Sequence, residues 1–170
     1  MVDLKIEYVL PTDEYAEYIA DNLKGNDYIE VVGLVGRDVR REIKESIKAS
    51  EWSRVCLIDG EPAVVFGVVN TNIFNQEGVV WMLTTSLTQK HKIFVGRKTK
   101  EYLRKFMEHY NLLYNYVDAG NTFTLRWLAF LGATIYEPAP QGVFGLPYRR
   151  FEFTKEGLAR RYTKSERWCE

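Results

Sequence analysis

Residues Ser86 to Tyr102 read SLTQKHKIFVGRKTKEY, and between Lys90 and Lys105 seven lysines and arginines accompany a single acid, Glu101. A basic run with one glycine, set between an apolar strand-like segment and a helix-like one, can do three things. It can hold a phosphate-bearing cofactor, because backbone N–H groups at a helix start and cationic side chains both suit phosphate. It can lie on a nucleic acid or an acidic protein surface, with His91 and Phe94 available to stack on bases. Or it can be solvated charge. Lysines at a helix N-terminus oppose its dipole by roughly 0.3–1 kcal/mol each at exposed sites, which hints at an anion or acidic partner nearby.

Other chemistry is sparse. The two histidines, His91 and His109, have no cysteine or carboxylate at metal-ligand spacing, so no metal site is expected. Cys56 lies in an apolar run between Val55 and Leu57, where nothing electropositive would lower its pKa, and Cys169 is the penultimate residue; neither suggests a disulfide framework. No Ser-His-Asp or Cys-His arrangement is supported. Asn121 precedes a short apolar helix and suits its N-cap. Among the aromatic residues, Phe144, Tyr148 and Trp168 fall in a proline-rich ribbon and the tail, where rings would be exposed without a partner; with Lys90, Lys92, Lys98 and Lys100 they are the candidates for partner binding.

The whole chain sets bounds on these readings. Its 170 residues suit one domain, and equal numbers of basic and acidic residues, 23 each, exclude a general polycation, so any nucleic-acid role must come from a local patch. The start, MVDLKIEYVLPTDEY, has no signal-peptide pattern, and no segment approaches 18 consecutive apolar residues. No membrane partner and a reducing cytoplasm are expected.

The elements that must position the basic run follow from periodicity. Leu4 to Leu10 alternates as a strand, Thr12 caps a helix from Asp13 to Leu23 with Gly25 just beyond its stop, and Asp38 to Ala49 forms a second helix with Val39, Ile43 and Ile47 on one face. Ser53 to Thr71 reads as a hairpin around Asp59-Gly60, with a bulge or close backbone approach at Gly67. Gly78 to Ser86 is a strand. A helix from about Arg97 to Tyr110 places Tyr102, Leu103, Phe106, Met107 and Tyr110 on one face, and Leu112 to Val117 is the next strand. Thr122 to Leu131 is a helix closed by Gly132, Thr134 to Tyr136 a strand, and residues Pro138 to Pro147 a connection to a returning strand, Arg150 to Thr154. The expected architecture is α/β: one mixed, mostly antiparallel sheet flanked by helices, residues 1–154, then a charged tail, 155–170.

This order resembles the fold of the GNAT-family N-acetyltransferases, most of all in VDAGNTFTLRWLAFLGATIYE, Val117 to Glu137. Asn121 stands at the family's asparagine, Leu125, Trp127, Leu128 and Leu131 at its apolar helix positions, and Gly132-Ala133 at its Gly-Phe pair. The resemblance implies an acetyl-CoA site along Thr84, Thr85, Ser86, Gly96, Arg97 and Lys98, with Asn121. Two departures weaken it. Of the family's Arg/Gln-x-x-Gly-x-Gly/Ala phosphate loop only Gly96 remains, with Ile93 and Lys98 at the other places, and the proton-donating tyrosine position is Leu128.

A narrower resemblance accommodates both departures. The Trp-containing strand, the lysine-rich helix start, LYNYVDAGNT and the aromatic closing ribbon, Gly78 to Phe153, are similar to the small internal virion proteins of short-tailed bacteriophages, a family with an acetyltransferase-like fold. It implies a virion or morphogenesis protein, made in the host cytoplasm and then carried in the particle. Such a protein binds other virion proteins, needs no cofactor, and has acetyl transfer weak or lost. The alternative is an active N-acetyltransferase using acetyl-CoA on an amine, and whether the chain is an enzyme stays open at this point. Contact with nucleic acid through the basic run is the third class.

Overall fold

A computed structural model describes residues 3–36 and 38–159. The chain begins with strand β1 (Ile6–Val9) and helix α1 (Asp13–Asp21), whose first turn is capped by the Thr12 hydroxyl accepting from the Tyr15 N–H at 3.2 Å. Helices α2 (Gly25–Val35) and α3 (Val39–Ala49) follow. Strands β2 (Trp52–Ile58) and β3 (Glu61–Asn72) turn through Asp59 and Gly60, both at positive φ as a two-residue hairpin requires. β4 (Glu77–Thr84) leads through a 3-10 turn (Ser86–His91) into α4 (Lys92–Met107). β5 (Leu112–Asp118), α5 (Thr122–Leu131), β6 (Thr134–Ile135), β7 (Ala139–Gln141) and β8 (Leu146–Phe153) complete the described chain.

The sheet runs β1-β2-β3-β4-β5-β8-β6, with β7 paired to β8. Every pairing is antiparallel except β4 with β5, and that parallel pair holds for three rungs only, from Glu77 opposite Leu112 to Val79 opposite Tyr114. Beyond it the strands diverge. One face of the sheet packs against α4 and α5 through Phe66, Leu103, Phe106, Leu113, Val117, Leu128 and Phe153. The other packs against α1 and α3 through Ala16, Ile19, Ile43, Val55 and Val65. Each fully buried aliphatic or aromatic side chain contributes about 1.5–3 kcal/mol, so these two layers carry the fold.

Several expectations are corrected. Helix α1 stops before Gly25 as expected, but Gly25 then opens an unexpected helix, α2, which closes on Gly36 in the left-handed region at φ 66°. Its sequence GNDYIEVVGLV hides it, because two glycines and several β-branched residues give it low intrinsic helix propensity and no residue of it is fully buried. Gly67, by contrast, is as expected in one of its two readings, a close backbone approach, since a Cβ there would lie 2.7 Å from the Trp52 carbonyl oxygen; the register shift between β2 and β3 falls at Cys56 and Leu57. Helix α4 begins at Lys92, five residues earlier than its periodicity suggests. The proline-rich connection contains β7.

At the end of the described chain Leu158 is buried beside Gly132 and joins the α4–α5 core, so the first residues after β8 pack on the domain. Trp168 and Cys169 lie outside the described residues.

Candidate functional site

Because β4 and β5 separate after three rungs, a cleft of about 460 Å³ opens between Val79–Thr84 on one strand and Asn115–Val117 on the other. Asn115 sits in the crotch, where its Nδ2 donates to the Val80 carbonyl at 2.9 Å. On one side the cleft is walled by Lys92, Val95 and Thr99 of α4 and by Phe123, Thr124 and Trp127 of α5. Helix α2 closes the other side with Asp27, Glu30, Val31 and Leu34.

The two α2 carboxylates tie this helix to both strand ends. Asp27 Oδ2 accepts from the Thr84 N–H at 2.8 Å and from the Thr84 hydroxyl at 2.9 Å. Glu30 Oε1 accepts from Asn121 Nδ2 at 2.7 Å and from the Asp118 N–H at 3.3 Å. The Tyr148 hydroxyl donates to the Glu30 carbonyl at 2.9 Å, and the Val143 N–H to the Leu34 carbonyl at 3.1 Å. Burial pushes the Asp27 carboxyl above its ordinary range, against the two Thr84 hydrogen bonds. Burial likewise pushes Glu30 up to about 7, although the Asn121 hydrogen bond favours its ionised form. A carboxyl titrating there can hold or release a proton at neutral pH. Among the described residues no group of histidines, cysteines and carboxylates could hold a metal ion.

The residues expected to bind a cofactor do not assemble into one cradle. Thr84 lines the cleft, but its hydroxyl and N–H are committed to Asp27. Thr85 is buried and turned toward β3, with its N–H on the Ala63 carbonyl and its hydroxyl on the Pro62 carbonyl. Ser86 is exposed at the start of the 3-10 turn, where the Thr88 N–H closes on the Thr85 carbonyl at 3.2 Å. Gly96 is the fifth residue of α4, inside the helical ladder, and a Cβ there would meet nothing within 4 Å. It is not a glycine held for close approach. Arg97 is exposed, and Lys98 pairs with Glu101 at 2.8 Å beside a separate hollow lined by Tyr8, Cys56 and Tyr102. The join between β4 and α4 therefore does not fit a glycine-loop phosphate cradle of the kind the family motif describes.

Asn121 is both cap and site residue: its Oδ1 accepts from the Thr124 N–H at 3.2 Å while its Nδ2 holds Glu30. Leu128 is buried, and with no hydroxyl it offers no proton. Of the partner candidates, Tyr148 is a correction. It is 2% exposed, because the β8 register turns its ring inward beneath Gly33 of α2. Phe144 is 63% exposed, as expected of a ring awaiting a partner. Lys90 and Lys92 are exposed, and the Lys100 ammonium lies 3.9 Å from the Phe130 ring centroid.

Sequence reasoning missed Lys24, Asp27 and Glu30, since no helix was expected there. The signal was the Asp27-x-x-Glu30 spacing, which places both carboxylates on one face of a helix.

The comparisons agree with this fold. Residues 63–138 match the family model described as "Bacteriophage T7, probable scaffold protein Gp13". No curated protein matches. Among solved structures, the chain is similar to the spermidine N-acetyltransferase from Vibrio cholerae in complex with CoA and spermine, at TM-score 0.68 and 10% identity over 91% of this chain and 98% of that one. An aminoglycoside acetyltransferase in complex with coenzyme A gives TM-score 0.64 and 12% identity, covering 92% and 98%. An acetyltransferase of the GNAT family from Streptococcus pneumoniae gives 0.59 and 7%, covering 88% and 99%. The fold is that of the GNAT acetyltransferases, and the resemblance to a phage protein family with this fold holds for the central segment. Among the described residues no helix is long and apolar enough to cross a membrane.

Proposed function

We propose that this chain is a bacteriophage virion-associated or morphogenesis protein that acts by binding other virion proteins, with acetyl transfer weak or lost. It would be made in the host cytoplasm and carried in the particle. The observation that carries the reading is the match of residues 63–138 to a phage family described as a probable scaffold protein. That segment spans the β4–α4 join and all of α5, where the 3-10 turn and buried Leu128 stand in place of the glycine cradle and the proton-donating tyrosine that the resemblance implies. Exposed rings support a binding role: Phe74 at the β3–β4 turn is 99% exposed, and Phe144 projects from the β7–β8 hairpin. Mass spectrometry of purified particles tests the proposal. The chain is expected in or on assembling particles, and particles made without it are expected to lack another internal protein; normal particles that never contain it, at any assembly stage, overturn the reading.

A second reading, an active N-acetyltransferase, is favoured by the open cleft and by Glu30 titrating near neutral pH inside it. Isothermal titration with acetyl-CoA separates the two. Micromolar binding with turnover on an amine establishes the enzyme, and absence of heat supports the binding protein.

A further inference from the structure

Helix α5 buries Leu128 and Leu131 and presents Phe123, Arg126 and Phe130 on one exposed face, since positions seven apart return to nearly the same side of a helix. Phe123 is 55% exposed and Phe130 56%. Cations from neighbouring elements converge on these rings. The Lys24 ammonium, at the N-cap of α2, lies 5.3 Å from the Phe123 centroid and Lys92, the first residue of α4, lies 5.8 Å from it. Lys100 of α4 lies 3.9 Å from the centroid of Phe130.

Asp27 of α2 attracts Lys24 from the cleft side, and α5 itself brings no acid to the rings. The single acid of α4, Glu101, bonds Lys98 and Lys105 on the far side of that helix. Lys92 is exposed and Lys24 and Lys100 are half-buried, so each ring carries a cation at its edge that suits a ligand offering an anion to the lysine and a π face to the ring.

We propose that the α4–α5 face binds single-stranded nucleic acid, with Phe123 and Phe130 as stacking platforms and Lys24, Lys92 and Lys100 as phosphate contacts. The rings are about 10 Å apart along the helix axis at 1.5 Å per residue, far enough for each to take its own base. A duplex hides the faces of its bases, so the rings select a single strand. An acidic polypeptide would satisfy the lysines and leave two exposed phenylalanines unused. This inference adds to the proposed virion role and is independent of it, because oligonucleotide affinity and particle content are separate readouts.

The test is fluorescence anisotropy of the full chain with labelled oligothymidylate, using Phe130 and Lys100, which do not line the cleft. Phe130→Ala is expected to weaken binding by about tenfold, within the five- to hundredfold range of a lost stacking contact, with Phe130→Leu weakening it nearly as much while preserving the thermal midpoint. Lys100→Gln is expected to lower the slope of log affinity against log salt by about 0.7. Equal affinity of wild type and Phe130→Leu overturns the proposal, as does absence of binding at low salt. Competition by polyglutamate as strong, charge for charge, as by unlabelled oligothymidylate also overturns it, and assigns the face to an acidic protein.

Discussion

The two strand ends that flank the cleft receive the same helix in different ways. At the end of β5 the chain turns tightly, Asn121 caps α5, and Glu30 meets the cap amide and the Asp118 N–H. At the end of β4 there is no capping side chain, a 3-10 turn intervenes, and Asp27 takes both the N–H and the hydroxyl of one residue, Thr84. The β5 end has an asparagine, Asn121, where the acetyltransferase resemblance puts one, although α5 carries Leu128 in place of the tyrosine. The β4 end, where phosphate would be held, has been rebuilt. The lesson is that this fold can keep its splayed strands while changing the chemistry at one of them, because the splay depends on strand pairing and the cradle depends on a few backbone N–H groups.

The largest expected effect concerns Glu30, on the β5 side. Its carboxyl is raised from an ordinary 4.5 to about 7 by burial, so the folded state favours the protonated form. Stability from this group is fully present below about pH 4.5 and is lost as pH rises through about 7, a change on the order of 1–3 kcal/mol. Asp27, which faces the same cleft and is also raised, acts in the same direction, while Lys24 opposes its shift and Asp118 adds to that of Glu30. Glu30→Gln keeps an acceptor for Asn121 and Asp118 and removes the titration. Urea midpoints at pH 5 and pH 8 should differ for the wild chain and converge in the variant. An unchanged pH dependence would place the sensitivity at the β4 end with Asp27.

Next in size is Asn121→Ala. It removes the α5 cap, worth about 1–2 kcal/mol, together with the amide that supports Glu30. Because that amide stabilises the ionised carboxylate, the loss should be larger at pH 8 than at pH 5. A loss that is equal at both values would mean that Asn121 serves only as a cap, and the two strand ends would then be more alike than their hydrogen bonds imply.

How much of this was legible in the sequence follows the same divide. The β5–α5 unit was readable because Asn121 and Gly132 punctuate a strongly apolar helix, and the Asp59-Gly60 turn fixed β2 and β3. These are local signals. Helix α2 was not readable, since it is held by tertiary hydrogen bonds from Asp27, Glu30 and Tyr148 rather than by its own propensity. The site lost with it half of its wall. The start of α4 was obscured because its first turn carries exposed Lys92 and Ile93 beside half-buried Phe94, which breaks the apolar period that becomes regular only after Thr99. Tyr148 was misassigned for another reason: a proline-rich ribbon reads as exposed, whereas the pairing of β8 with β5 and β7 turns alternate residues inward.

The smallest expected effect tests the rebuilt end directly. A glycine that cradles phosphate cannot accept a side chain without losing its ligand, whereas a glycine inside a helix costs about 1 kcal/mol relative to alanine. Gly96 lies within α4 and a Cβ on it meets open space. Gly96→Ala should therefore raise stability by about 0.5–1 kcal/mol in urea unfolding and leave any coenzyme A affinity unchanged in titration. If the same change abolished measurable coenzyme A binding, the β4 end would hold phosphate after all, and the contrast between the two strand ends would collapse in favour of the enzymatic reading.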